Sequence, residues 1–198
     1  MLVLEKNFPN WKELTIHESS PENRGASLKL KKFSKDYIAS QFYSNHKPGE
    51  LVNNFINQNL EEQTFNDNSF DIVITQDVFE HVMNPDKAFA EIARTLKPGG
   101  AHIFTVPLVN KFSATERWAE LDGNSKLKFL KEPEYHGNPI DPQGSPVTMH
   151  WGYDIVEYIK TSSGLGTEIV YLNDLNYGIS AEYIEVLITR KPQNNKGN

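Results

Sequence analysis

Apolar positions along the chain fall into two patterns, one continuous and one periodic. Residues 70–75 (FDIVIT) and 101–106 (AHIFTV) are nearly unbroken β-branched and aromatic runs, as strands covered on both faces require. Between them Phe89, Ile92, Ala93 and Leu96 recur at helical spacing on one face, behind Asn84 as a cap and Pro85 as a first residue. Lys97-Pro98-Gly99-Gly100 should end that helix. Upstream, residues 13–18 (ELTIHE), 37–43 (YIASQFY) and 55–60 read as three more strands, with a short helix over 27–35. Downstream, residues 153–160 form an amphipathic helix ending near Gly164, and 167–172 and 183–189 are two last strands. Alternating strands and helices predict an α/β fold with a doubly wound, mostly parallel sheet.

Regularity fails between residues 107 and 152, where prolines and glycines punctuate a polar stretch with interleaved aromatic and histidine side chains. So long an irregular segment inside a domain is usually a lid or a binding loop. The expected organisation is one domain over 1–190, with a lid or substrate loop at about 107–152 and a disordered tail over 191–198 (KPQNNKGN).

Composition narrows the function classes. The chain has 198 residues and a net charge of -6, and its short basic cluster Lys29-Leu30-Lys31-Lys32 reads as a solvated helix end. Binding to nucleic acid or to an anionic membrane is therefore not expected. There is no cysteine, which excludes disulfides, thiolate metal sites and cysteine nucleophiles. Met1-Leu2-Val3-Leu4 stops at Glu5, too short an apolar run for a secretory signal, and a cytoplasmic location is the default. The oligomeric state is left open.

Residues 58–107 strongly resemble the second half of the class I methyltransferase domain that uses S-adenosylmethionine, in its small-molecule, type 11-like branch. Three parts carry the resemblance: the strand opening Phe70-Asp71 after a polar turn, a helix opening Glu80-His81-Val82, and the turn Leu96-Lys97-Pro98-Gly99-Gly100 into the next strand. The resemblance implies a Rossmann-like sheet closed by an antiparallel last strand, S-adenosylmethionine as cofactor, and methyl transfer to oxygen or nitrogen of a small metabolite or glycan precursor. A catalytically inactive methyltransferase-like binding module is the alternative.

Ligands of such sheets sit beyond the carboxyl ends of the strands, which singles out Glu18, Ser19, Ser20, Gln41, Asn59, Leu60 and Gln76 as cofactor contacts. The family's first strand ends in a glycine-rich turn, but here Ser19-Ser20-Pro21-Glu22-Asn23-Arg24 leads to Gly25 alone. The family's ribose carboxylate is replaced by Ser40 and Gln41, and the position that holds the adenine amino group is Asn59. Three readings stay open: binding through a reshaped turn, loss of cofactor binding, or an alignment in which Glu18 ends the second strand and is itself the ribose carboxylate.

Asp77, Glu80 and His81 are spaced to share one helix face if the segment after the fourth parallel strand is helical. They are the catalytic candidates, as a general base acting on a hydroxyl or as holders of a divalent cation; Glu80-His81 can equally serve only to cap and anchor a helix. Quinone-biosynthesis O-methyltransferases have a similar acidic residue and Glu-His pair, linked there to metal. No metal ligand set is committed on sequence. In the long loop Arg117, Tyr135, His136, His150 and Trp151 suit a polar, ring-shaped substrate. His102, inside a strand, reads as structural, and His17 is given no role.

Overall fold

The computed structural model describes residues 1–138 and 140–194. Its centre is an eight-stranded sheet made of β1 (Thr15–Ser19), β2 (Asp36–Gln41), β3 (Leu51–Val52), β4 (Phe55–Asn57), β5 (Phe70–Gln76), β6 (Leu96–Thr105), β7 (Gly166–Tyr171) and β8 (Glu185–Arg190). In space the order is β7-β8-β6-β5-β1-β2-β4-β3. β4, β2, β1, β5 and β6 are mutually parallel, whereas β8 runs antiparallel to both β6 and β7. This is the doubly wound sheet with an antiparallel last strand expected from the sequence. From the adjacent β1 and β5 the chain continues to β2 on one side and to β6 on the other, and ligands of such sheets bind beyond the carboxyl ends at this reversal.

Helices cover both faces. α1 (Leu2–Asn7) and α2 (Gly25–Phe33) lie on one side, where Leu4 and Leu30 join Ile16, Ile72 and Ile74 in one apolar cluster. α3 (Pro85–Thr95) and α4 (Ile155–Ser163) cover the other, packing Phe89, Ile92, Ile155 and Ile159 against Val73 and Phe104. Ile72 and Val73 therefore serve opposite layers, as alternation along a strand demands. Both are fully buried, each contributing roughly 1.5–3 kcal/mol.

Several boundaries differ from the sequence reading for local reasons. The segment after β5 is a turn over residues 77–84, and no helix opens at Glu80-His81-Val82. Asp77 has φ +51°, which an α-helix excludes, and Pro85 at the first helical position sets the start of α3 instead. β6 begins at Leu96, so Lys97-Pro98-Gly99-Gly100 is an irregular strand opening and not a separate turn. Gly100 is required there, since a Cβ would stand 2.8 Å from the Asp71 carbonyl oxygen. α1 and the hairpin strand β3 had no counterpart in the sequence reading. The described residues between 107 and 152 hold three small antiparallel ladders: Glu116–Arg117 with Met149–His150, Ala119–Leu121 with Leu127–Phe129, and Tyr135–His136 with Ser145–Pro146. The expected tail lies partly outside the described residues.

Candidate functional site

Glu18, Gln41 and Asn59 fall at or just beyond the carboxyl ends of β1, β2 and β4, side by side in the sheet order. The strand carrying Glu18 pairs with β5 on one side and β2 on the other. It is the central first strand, and the alternative that made it the second is corrected.

The turn after β1 replaces glycine with a serine in a glycine-like conformation. Ser20 has φ +56°, and its N–H donates to the Ser40 carbonyl oxygen at 2.8 Å. Gly25, with φ +57° and nothing within 4 Å of where a Cβ would be, opens α2. No side chain caps that helix start, and its first turn holds no acidic residue.

Glu18 is fully buried. Its carboxylate accepts from Ser27 Oγ (2.6 Å), Gln76 Nε2 (2.7 Å) and Tyr37 Oη (2.7 Å). Burial raises its pKa, against the three hydrogen bonds that pull it down. Burial and then the Glu18 charge push the Tyr37 hydroxyl up in turn. Glu18 and Gln76 therefore brace the β1 turn against α2 and β5 through Ser27. Ser27 and Tyr37, which complete this network, gave no signal in the sequence.

Asn59 accepts the Glu61 N–H on its side-chain oxygen at 3.0 Å, and Leu60 is buried in the core on the α3 side. Just before them Asn57, 3% exposed, organises the loop after β2 by bonding the backbone of Tyr43, His46 and Lys47.

Beyond β5, Asp77 accepts from Thr105 Oγ1 at 2.9 Å. Crowding around its carboxyl group, and then the charge of Glu80, raise its pKa. Glu80 is 2% exposed, while its backbone oxygen accepts the Thr148 N–H at 2.7 Å and so ties the turn to the long loop. His81 Nδ1 donates to the Pro146 carbonyl oxygen at 2.9 Å, and its Nε2 stands 3.7 Å from Glu80 Oε1. His136 reaches the same oxygen with Nδ1, also at 3.7 Å, and meets the His81 ring edge-on at 4.9 Å. The Glu80 and Glu134 carboxylates raise the His136 pKa, Glu80 more strongly. Although no helix face unites them, the turn and the loop bring Glu80, His81 and His136 together.

Glu134 links this group to the rest of the loop, with Oε1 3.3 Å from His136 Nε2 and Oε2 2.8 Å from His150 Nε2. The His150 ring stacks on Trp118 at 3.7 Å. Glu134 was missed in the sequence, yet its place two residues before His136 fits side chains on one face of an extended segment. The other loop candidates scatter. Arg117 donates to the Met83 carbonyl oxygen at 2.8 Å, and Tyr135 is half exposed beside Phe129. Trp151 is fully buried against Phe89 and Tyr158, with Nε1 donating to the Phe79 carbonyl oxygen at 3.2 Å. It is a core residue, a correction of its reading as a substrate contact.

Two further histidines are also fully buried. His17 and His102 pair through Nε2 with Ser40 Oγ (2.8 Å) and Thr75 Oγ1 (3.0 Å), and burial lowers each pKa to about 3. His102 is structural, as its strand position suggested. No described helix is long and apolar enough to cross a membrane.

Comparison with known proteins bears on the same region. Residues 26–104, from α2 into β6, match the family model described as a methyltransferase domain. The reshaped turn after β1 lies just ahead of that match. The chain is 31% identical over 121 residues to a ubiquinone/menaquinone biosynthesis C-methyltransferase of Hydrogenovibrio crunogenus, covering 54% of this chain and 47% of that protein. It is 27% identical over 126 residues to a glycine/sarcosine/dimethylglycine N-methyltransferase of Actinopolyspora halophila, covering 63% and 22%. The chain thus spans less than half the length of these curated relatives. Among solved structures, an S-adenosylmethionine dependent methyltransferase from Mesorhizobium loti superposes with TM-score 0.60 at 12% identity, over 96% of both chains. A Burkholderia thailandensis 1,6-didemethyltoxoflavin-N1-methyltransferase, solved with S-adenosylhomocysteine, gives 0.57 at 11% identity over 97% of this chain and 76% of that one. Residues 26–104 thus match a methyltransferase domain in sequence, and over its whole length the chain shares its fold with solved S-adenosylmethionine-dependent methyltransferases.

Proposed function

We propose that the chain is an S-adenosylmethionine-dependent methyltransferase acting on oxygen or nitrogen of a small metabolite or glycan precursor. It would work as one domain over residues 1–190, with 107–152 as the lid. The observation that carries this reading is the strand order, which sets the β1 turn, Gln41 and Asn59 at or just beyond successive carboxyl ends of parallel strands. The residues present fit the cofactor. The uncapped start of α2 leaves first-turn N–H groups for a carboxylate, and the space at Gly25 lets it approach. Gln41 offers an amide to ribose hydroxyls in place of a carboxylate, and the Asn59 oxygen keeps a second lone pair for an amino group.

When bound, S-adenosylmethionine supplies a methyl group on a sulfonium, open to direct attack. The chain's own tasks are then alignment and deprotonation. Asp77 is the proton acceptor in this reading. It stands directly after β5 with a strained backbone, as functional residues often do, and its raised pKa brings it nearer to neutral pH. Glu80 and His81 shape the field beside it, and the ladders carrying Arg117, Tyr135, His136 and His150 close over the acceptor.

Calorimetry with S-adenosylhomocysteine tests the reading. Binding is expected, and Asn59→Ala should weaken it about fivefold to tenfold, the worth of one hydrogen bond of about 1 kcal/mol. Asp77→Asn should keep that affinity and lower transfer of labelled methyl to a small-molecule extract by roughly 10²–10⁴-fold. No binding at millimolar ligand sinks the proposal.

A further inference from the structure

The turn after β5 and the loop above it bring three ligating side chains to one point. Ligand atoms of Glu80, His81 and His136 all lie within 4.8 Å of one another. Neither carboxylate oxygen of the buried Glu80 has a hydrogen-bond partner among the described residues, an arrangement that is costly unless something compensates the charge.

In their neutral form both imidazoles can turn a lone pair toward Glu80. His81 places Nδ1 on the Pro146 carbonyl oxygen, which can only accept, so Nδ1 holds the proton and Nε2 faces Glu80 Oε1 at 3.7 Å as an acceptor. His136 places Nε2 on the Glu134 carboxylate at 3.3 Å, which leaves Nδ1 facing the same Glu80 oxygen at 3.7 Å. Each outward nitrogen thus rests on an oxygen acceptor, the outer-shell pattern that fixes the tautomer of metal-binding histidines. Glu134 is itself held by His150 at 2.8 Å. With both rings neutral, three inward acceptors converge on one point.

We propose that Glu80, His81 and His136 bind one divalent transition-metal ion of the zinc type. One carboxylate with two imidazoles suits zinc, cobalt or manganese, whereas magnesium and calcium favour all-oxygen sites. Bonds of about 2.0–2.1 Å in a tetrahedral site put ligand atoms roughly 3.3 Å apart, a few tenths of an ångström inside the two 3.7 Å contacts with Glu80, so the loop would draw in on the ion from a set of ligand atoms that lie within 4.8 Å of one another. Three protein ligands leave a coordination position open to a water or to an oxygen of the substrate, whose proton the ion would loosen. That last role rests on the methyl-transfer reading; the site itself does not. Pro146 and His136 belong to the same ladder, so the ion would also fasten the ladder to the turn.

The experiment is calorimetry of chelator-treated, full-length protein with zinc chloride, cobalt chloride and magnesium chloride, together with visible spectra of the cobalt form. One zinc per chain at micromolar or tighter affinity is expected, with cobalt absorption bands of a low-symmetry nitrogen and oxygen site and no magnesium binding at 1 mM. His136→Ala should lose zinc affinity at least 100-fold. That side chain lies on the partly exposed ladder, so the core should survive, as circular dichroism would show. Glu134→Gln, which touches no ion, should weaken zinc by roughly 10–100-fold. Absence of stoichiometric zinc binding, or equal affinity in wild type and His136→Ala, overturns the site. Protein that binds S-adenosylhomocysteine but fails to bind zinc would defeat this inference alone, and protein that binds zinc but fails to bind S-adenosylhomocysteine would defeat only the methyl-transfer reading.

Discussion

Replacing His17 and His102 together by phenylalanine should remove much of the protein's sensitivity to mild acid. Both rings are fully buried, with pKa values lowered to about 3 from an ordinary 6.5, chiefly by burial. A lowered histidine pKa means that the folded state stays neutral while the unfolded chain takes up a proton. Stability is therefore complete above pH 6.5 and falls as pH drops toward 3. At pH 5.0 the unfolded chain gains 1.36 kcal/mol for each of about 1.5 pH units per histidine, close to 2 kcal/mol each and about 4 kcal/mol for the pair. That is a large share of the roughly 5–15 kcal/mol that holds a domain folded. Glu18 acts in the opposite sense, because its raised pKa lets the folded state gain a proton first, but it is common to both proteins. Phenylalanine suits the sites, since His17 lies 4.9 Å from Phe65 and Phe70, and His102 stacks on Phe104 at 4.2 Å. The Ser40 and Thr75 hydroxyls lose their partners, which costs about 1 kcal/mol each at any pH. Urea unfolding at pH 7.5 and 5.0 should show wild type losing about 4 kcal/mol more than the variant between the two. A difference under 1 kcal/mol, or ring resonances titrating near pH 6.5 in the folded protein, would refute the reasoning.

Two other perturbations test the packing around the site. Ser20→Gly should raise stability by about 0.5–1 kcal/mol, because relief of the left-handed serine outweighs the extra freedom of the unfolded chain; a lower urea midpoint would show that the hydroxyl makes an essential contact. Trp151→Ala should destabilise by about 3–5 kcal/mol, and a loss under 1 kcal/mol would contradict its place in the core.

The fold was readable wherever local chemistry and tertiary demand coincide. Residues 72–75 are all β-branched, as suits a strand on which both layers pack, and Pro85 marks a helix start whatever surrounds it. α1 escaped notice because six residues show no reliable period, and β3 because two residues show none at all. The site was harder, since an i, i+3, i+4 spacing suggests a shared face only if the backbone is helical. Asp77 at φ +51° breaks that premise, and the grouping of Glu80 with His81 survives through the loop instead. Glu18 shows a different limit. Position at a strand end was legible, but direction was not, and the side chain turns toward Ser27 and Tyr37 beneath α2. Strand ends reveal which residues can meet a ligand; which of them do depends on contacts made by segments remote in sequence. The meeting of Glu80 with His136 is such a contact, written in the backbone bonds of Thr148 to Glu80 and of Val147 to Glu134 and in no local pattern of either segment.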